Sequence, residues 1–141
     1  MPTRRASATW EGGLQGGKGS FEGESGVLSG SYSFGSRFGD AGGTNPEELL
    51  AAAEAACYSM ALSVGLEQAG TPATRVRTEA ACTIEKQGDG FKITTMKLRV
   101  RAQVPGVDEA AFRQAAEATK TGCPVSKALA GVEIELDAAL E

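Results

Sequence analysis

Three cysteines and no histidine bound the chemistry open to this 141-residue chain. A thiol can serve as nucleophile, but no Cys-His or Ser-His-Asp arrangement can be assembled to activate it. Three thiols and a carboxylate also match no finger or ribbon spacing for zinc. An ionised thiol here must draw on arginine, lysine or a helix N-terminus, which narrows the field to redox and peroxide chemistry. The three sulfurs sit in unlike settings. Cys82 falls on the apolar face of a strand, where cysteine behaves as a small hydrophobe. Cys57 lies in the middle of an apolar helix, and desolvation there suppresses ionisation; taken alone it reads as packing before chemistry. Cys123 precedes Pro124, which forces it out of helical geometry and sets it at the start of a new helix, where the dipole favours a thiolate. Cys123-Pro124-Val125-Ser126 also looks like a thioredoxin-type tetrad reduced to one thiol, but that motif belongs after an early strand of a βαβ unit.

The elements that position these sulfurs follow from periodicity. Twelve of the 19 glycines fall in the first 43 residues, and between them run short two-residue alternations such as Ala6, Ala8, Trp10 against Arg5, Ser7, Thr9. That pattern predicts a meander of strands rather than a linker. Gly43-Thr44-Asn45-Pro46-Glu47-Glu48 then starts a helix, with Asn45 as N-cap, Pro46 at the first helical position and Glu48 as capping-box partner. The helix runs to about Gln68. Leu49, Leu50, Ala52, Ala53, Ala56, Met60, Ala61, Val64 and Leu66 make it apolar nearly all round, with a thin polar edge at Glu47, Glu54 and Tyr58, so it is expected at the centre of the molecule or of a dimer.

Beyond Pro72, Val76, Thr78, Ala80, Cys82 and Ile84 share one face of a strand. Residues 87–90 make a hairpin turn. The returning strand changes parity between Phe91, Ile93, Thr95 and Met96, Leu98, Val100, which a bulge near residues 94–96 repairs. A second helix covers about residues 108–121 and stops at Gly122, and a short third one begins at Cys123-Pro124. In the closing strand Val132, Ile134 and Leu136 alternate with Glu133, Glu135 and Asp137, whose acidic face suits Lys97, Arg99 and Arg101 as cross-strand partners. The fold class is therefore α+β, with antiparallel β-sheets packed around long central helices in one domain spanning residues 1–141.

A formal charge of −4 with scattered positive residues argues against a nucleic-acid partner. No apolar run follows Arg4 and Arg5, and Glu54 interrupts the alanine-rich run, so no membrane partner is expected. An odd cysteine count without a secretion signal fits a reducing compartment, which makes the cytoplasm the expected address.

At this point larger blocks of sequence become recognisable. Asn45-Pro46-Glu47-Glu48-Leu49, then Ala55-Ala56-Cys57-Tyr58-Ser59-Met60 and later Gly122-Cys123-Pro124-Val125-Ser126, resemble the signature of the osmotically inducible protein C (OsmC) and organic hydroperoxide resistance (Ohr) family. Trp10-Glu11-Gly12, Gly17-Lys18-Gly19, residues 24–28 and Arg37-Phe38 are closer to the OsmC branch. The resemblance implies an intertwined homodimer, Cys57 as peroxidatic and Cys123 as resolving cysteine, and a Cys57–Cys123 disulfide after reduction of an organic hydroperoxide to its alcohol. It implies no bound cofactor or metal, and an external dithiol of the lipoyl or dihydrolipoamide type as reductant. It also maps the family's arginine onto Arg37, expected on a strand before the helix, and its glutamate onto Glu47. Read by themselves, these are a strand arginine and a first-turn glutamate that suits the helix dipole. Arg4, Arg5 and Lys18 are the alternatives to Arg37.

Glu47 and Cys57 on one straight helix lie about 15 Å apart, so Arg37 or Glu47 is expected to reach Cys57 from a second subunit. Phe34, Phe38, Tyr58 and Met60 are candidates to line a substrate pocket. Two other classes stay open: a redox sensor built on the same disulfide, and a small-hydrophobe binding module.

Overall fold

The glycine-punctuated opening forms the meander its alternation predicts: β1 (Ala6–Glu11), β2 (Lys18–Gly23) and β3 (Ser29–Tyr32) pair antiparallel in that order. Gly19 has to be glycine, because a Cβ there would stand 2.5 Å from ring carbons of Tyr32 and 2.9 Å from the indole of Trp10. A five-residue helix, α1 (Phe34–Phe38), follows β3. These elements belong to one of two compact units, Met1–Leu49 and Leu50–Glu141; the structure, a computed structural model, describes all 141 residues.

The long helix α2 runs Pro46–Gln68. Asn45 caps it, Oδ1 accepting from the Glu48 N–H at 2.8 Å, but Glu48 completes no capping box and instead accepts from the Thr44 hydroxyl. In residues 50–141 a second sheet has the order β4 (Arg75–Gln87), β5 (Gly90–Gln103), β6 (Glu133–Leu140), with α3 (Glu109–Gly122) and α4 (Pro124–Ala128) between β5 and β6. The even-numbered residues of β4 face inward as expected, and Gly88 takes φ +59° in the hairpin turn. The parity change on β5 is a bulge at Thr94, since Thr83 pairs with Thr95 and Ile84 with Ile93.

One pairing departs from the expected antiparallel sheet. β6 does lie beside β5 with its acids against the basic residues, Glu135 on Lys97 and Asp137 on Arg99 in register, but the two strands are parallel. A chain that leaves β5, passes through two helices and returns as the neighbouring strand re-enters at the same end. Asp137 then bonds Arg101, two residues beyond its register partner, at 3.1 Å.

The core of residues 50–141 joins the inward face of β5 (Met96, Leu98, Val100, Ala102) to Phe112 and Ala116 of α3 and to Tyr58, Leu62 and Leu66 of α2. Each fully buried large side chain contributes about 1.5–3 kcal/mol of transfer free energy. This core reverses the expected orientation of α2. Its thin polar edge is the buried one, with Glu54 and Tyr58 at 0% exposure and Glu47 at 6%, while Ala52, Ala53, Ala56, Met60 and Val64 are exposed. Tyr58 satisfies its buried hydroxyl by donating to the Ala116 carbonyl at 2.8 Å. By length and composition α2 is also apolar enough to cross a bilayer, so Glu54 does not interrupt it as the sequence suggested. Its Tyr58-Leu62-Leu66 face is occupied by the sheet.

Candidate active site

Within residues 50–141 the two cysteines singled out by the sequence come together. Cys57 is in the fourth turn of α2, and Cys123 ends α3 and starts α4, so both of those shorter helices bear on the Cys123 sulfur. The Cys123 N–H donates to Thr119 O at 3.0 Å, and its carbonyl accepts from the Lys127 N–H at 3.0 Å. Pro124 at the first helical position has no N–H to leave unsatisfied. Cys123 is fully buried and Cys57 half-buried, less enclosed than an all-apolar helix implied. The sulfurs are 2.9 Å apart in a thiol–thiol hydrogen bond, well beyond the covalent distance of about 2.05 Å. Cys82 packs against the core from β4, as read.

Cys57 is not acidic in these surroundings. Burial pushes its thiol up from the ordinary value, as do its hydrogen bond to Cys123 and the charges of Cys123 and Glu54; only the Val125 N–H pulls the other way. Nothing cationic acts on it within this set, so an acidic thiol needs a cation from elsewhere.

Sequence reasoning passed over one residue here. Glu54, one turn before Cys57, is completely buried, and its Oε1 accepts from the Ser126 hydroxyl at 2.5 Å while Oε2 has no hydrogen-bond partner. Ser126 in turn lies one turn after Cys123. The signal was available, since Glu54 and Cys57 are spaced i, i+3 and so are Cys123 and Ser126, but taking Glu54 only as part of a thin polar edge hid it.

Within residues 1–49, Arg37 and Glu47 form the second cluster. Arg37 lies on α1, not on a strand as expected. Ser33 and Ser36 cap that helix reciprocally, each side chain accepting from the other's N–H. Ser36 Oγ then donates to Thr44 O at 2.7 Å, and Asn45 Nδ2 to Ser36 O at 3.0 Å, tying α1 to the start of α2. This places the guanidinium on the first-turn carboxylate. Arg37 Nε reaches Glu47 Oε1 and Oε2 at 3.1 and 3.2 Å, and Nη2 reaches Oε1 at 2.7 Å, leaving Nη1 outside the pair. The Glu47 side chain is 7% exposed and that of Arg37 34%.

Arg37 also sits 5.4 Å from the Phe38 ring centroid. With Trp10, Leu14, Tyr32, Ser33, Phe34 and Phe38 it lines a cavity of about 340 Å³, mostly apolar and with the guanidinium as its one charge. Of the four pocket candidates, Phe34 and Phe38 line this cavity, whereas Tyr58 is sealed in the core and Met60 is 73% exposed. The alternatives to Arg37 are held less firmly: Arg5 is 76% exposed and 4.0 Å from Glu24, Arg4 bonds only the Thr3 carbonyl, and Lys18 is exposed. No three His, Cys, Asp or Glu side chains come together as metal ligands.

Residues 39–137 match the family model described as OsmC-like protein. The chain is 45% identical over 135 residues to Peroxiredoxin OsmC of Escherichia coli (strain K12), covering 95% of this chain and 94% of the relative. Among solved structures, it is similar to an organic hydroperoxide resistance protein of Elizabethkingia anophelis (TM-score 0.79, 26% identity, 100% and 98% of the two chains). It is likewise similar to the organic hydroperoxide resistance protein OhrB of Bacillus subtilis (TM-score 0.74, 28% identity, 96% and 98%).

Proposed function

Because this chain belongs to the OsmC-like family, we propose that it is a thiol-dependent peroxidase that reduces organic hydroperoxides to alcohols. The observation that carries the reading is the approach of Cys57 and Cys123 to 2.9 Å, one sulfur half-buried and the other enclosed. In the proposed cycle the Cys57 thiolate attacks the distal peroxide oxygen; the S–O bond forms as the O–O bond breaks, and the alkoxide leaves as alcohol. Cys123 then attacks the Cys57 sulfenic acid, releasing water and closing the disulfide. An external dithiol, of the lipoyl or dihydrolipoamide type, reopens it by thiol exchange.

Arg37 is the cation in this proposal, and Glu47 orients it. Support comes from two sides: Cys57 is pushed away from ionisation by its own neighbours, and the Arg37–Glu47 pair is built to hold a guanidinium still with Nη1 to spare. The cavity beside Arg37 suits an apolar alkyl or aryl group. We take residues 1–141 as one OsmC-like domain acting as a homodimer in the cytoplasm. The exposed apolar stripe of Ala52, Ala53, Ala56, Met60 and Val64 on α2 supports the dimer.

The test is steady-state consumption of cumene and tert-butyl hydroperoxide with dihydrolipoamide, and separately with thioredoxin. A peroxidase turns over many times with a dithiol, and Cys57→Ser abolishes it. Stalling after one equivalent would mark a redox sensor instead. Undiminished function in Cys57→Ser would leave only a binding module.

A further inference from the structure

Glu54 is a buried titratable group that the proposed cycle leaves unused. It lies between two contacts that bridge α2 to the α3–α4 junction: Cys57 to Cys123 at 2.9 Å, and Glu54 to Ser126 at 2.5 Å. Side chains three apart on a helix are neighbours, with Cβ atoms about 5–6 Å apart, so the Glu54 carboxyl and the Cys57 sulfur share one face of α2. One carboxyl oxygen is engaged by Ser126. The other is enclosed without a partner, and an unmatched buried acceptor is unfavourable, the more so if charged. A carboxyl oxygen left free in this way can accept a proton.

We propose that Glu54 is the proton carrier of the thiol pair, taking the proton of Cys57 as the thiolate forms and giving it to the alkoxide as the peroxide bond breaks. This role rests on the peroxidase reading above. In the first transfer, Cys57–SH and the carboxylate become thiolate and carboxylic acid, so the site keeps one negative charge throughout. In the second, two electrons of the thiolate form the S–O bond, the O–O bond breaks, and the alkoxide takes the Glu54 proton. The sulfenic acid keeps the distal oxygen with its hydrogen, and Glu54 is a carboxylate again. The named neighbours of Glu54 are hydroxyl, thiol and phenol groups. Ser126 and Cys123 face it from the α3–α4 junction. Cys57 and Tyr58 flank it on its own helix, and Tyr58 is kept neutral by burial above all, then by Glu117, Cys123 and Glu54. Burial first, then the contact with Cys123, and last the charge of Glu54 push Cys57 towards the thiol.

Two reactions of the same sulfur separate a proton carrier from a structural residue. Alkylation by iodoacetamide needs the thiolate but releases iodide, which takes no proton, whereas single turnover of tert-butyl hydroperoxide needs both. Each is measured against pH in the full-length reduced chain, with alkylation read at Cys57 by mass spectrometry. Glu54→Gln keeps the shape and the acceptor for Ser126. Alkylation is expected to become faster at neutral pH with its midpoint at lower pH, while peroxide turnover per thiolate falls about 100-fold. Ser126→Ala removes a donor that favours the Glu54 anion, so alkylation at neutral pH is expected to rise with peroxide turnover per thiolate retained. Equal changes in both reactions, or pH profiles unmoved in both variants, would overturn the role of Glu54. A wild-type chain that does not consume the hydroperoxide overturns the peroxidase reading and this role together. Wild-type turnover with an unchanged ratio in Glu54→Gln overturns the role of Glu54 alone.

Discussion

Oxidation of the reduced protein with one equivalent of cumene hydroperoxide is expected to raise its melting temperature by about 10 °C, and the figure follows from where the two sulfurs stand. Cys57 and Cys123 are 66 residues apart in sequence. Closing a loop of that length removes about 14–15 cal/mol/K of chain entropy from the unfolded state, or about 4 kcal/mol at 25 °C. Native-state strain usually erodes such gains, but here the sulfurs need to approach by less than about 1 Å to bond, so little should be lost. At about 2.1 cal/mol/K per residue, 141 residues give an unfolding entropy of about 0.3 kcal/mol/K. Four kcal/mol then corresponds to at most about 13 °C, and a modest strain leaves about 10 °C. Differential scanning calorimetry of the oxidised protein, with and without prior reduction by dithiothreitol, measures it. Cys123→Ser should show no rise, and Cys82→Ser the full rise. A shift under about 3 °C in the wild type, or a rise that survives Cys123→Ser, would refute the reasoning.

Other consequences are equally open to measurement. Arg37→Met should lower peroxidase activity at neutral pH by about 10- to 100-fold, in line with loss of a group that stabilises the reacting charge, with partial recovery as pH is raised; a loss that is the same at every pH would remove Arg37 from thiolate formation. With Arg37 removed, burial leaves Cys57 raised in the folded state, so the folded chain holds its proton longer than the unfolded one and stability of reduced Arg37→Met protein should fall as pH rises above about 8.5, the ordinary thiol range. Denaturant titrations from pH 7 upward should show Cys57→Ser, added to Arg37→Met, flattening that decline; an unchanged decline would rule it out. Tyr58→Phe strips the Ala116 carbonyl of a buried donor and should cost about 1–2 kcal/mol in urea unfolding, and an isostable variant would show that contact to be idle. Gly19→Ala should cost about 1–3 kcal/mol by overpacking and shift the emission of Trp10, the single tryptophan; unchanged emission would mean that the rings do not meet there.

The pattern of failures in reading this fold is physically instructive. Features written in local chemistry were legible: the cap at Asn45, the stop at Gly122, the inward parity of β4 and the bulge at Thr94 each follow from a few neighbouring residues. The orientation of α2 was not, because polarity is a poor guide when a buried polar group is matched from afar. Glu54 is met by Ser126, 72 residues away, and Tyr58 by Ala116, 58 away, and neither pairing leaves a trace in the helical period. Small alanines are tolerated on either side, so they gave no counterweight. α1 escaped because five residues carry no periodicity, and its capping serines look like ordinary loop residues. The direction of β6 was recoverable from topology, since helices between neighbouring strands imply a parallel return, but charge complementarity with β5 is satisfied in either sense. Cys57 and Cys123 were legible through their flanking blocks, whereas the way Arg37 is held depended on a serine network that spans a loop.

The seating of Cys123 has one more implication. Its amide and carbonyl are each claimed by a neighbouring helix turn, and the proline after it forbids the backbone from sliding. What remains mobile is a single torsion, the swing of one sulfur about its Cα–Cβ bond. Closure of the sulfur bridge is thus a swivel rather than a refolding, and thickening the solvent with glycerol or chilling it should slow this step far less than it would a step that had to drag a loop through water.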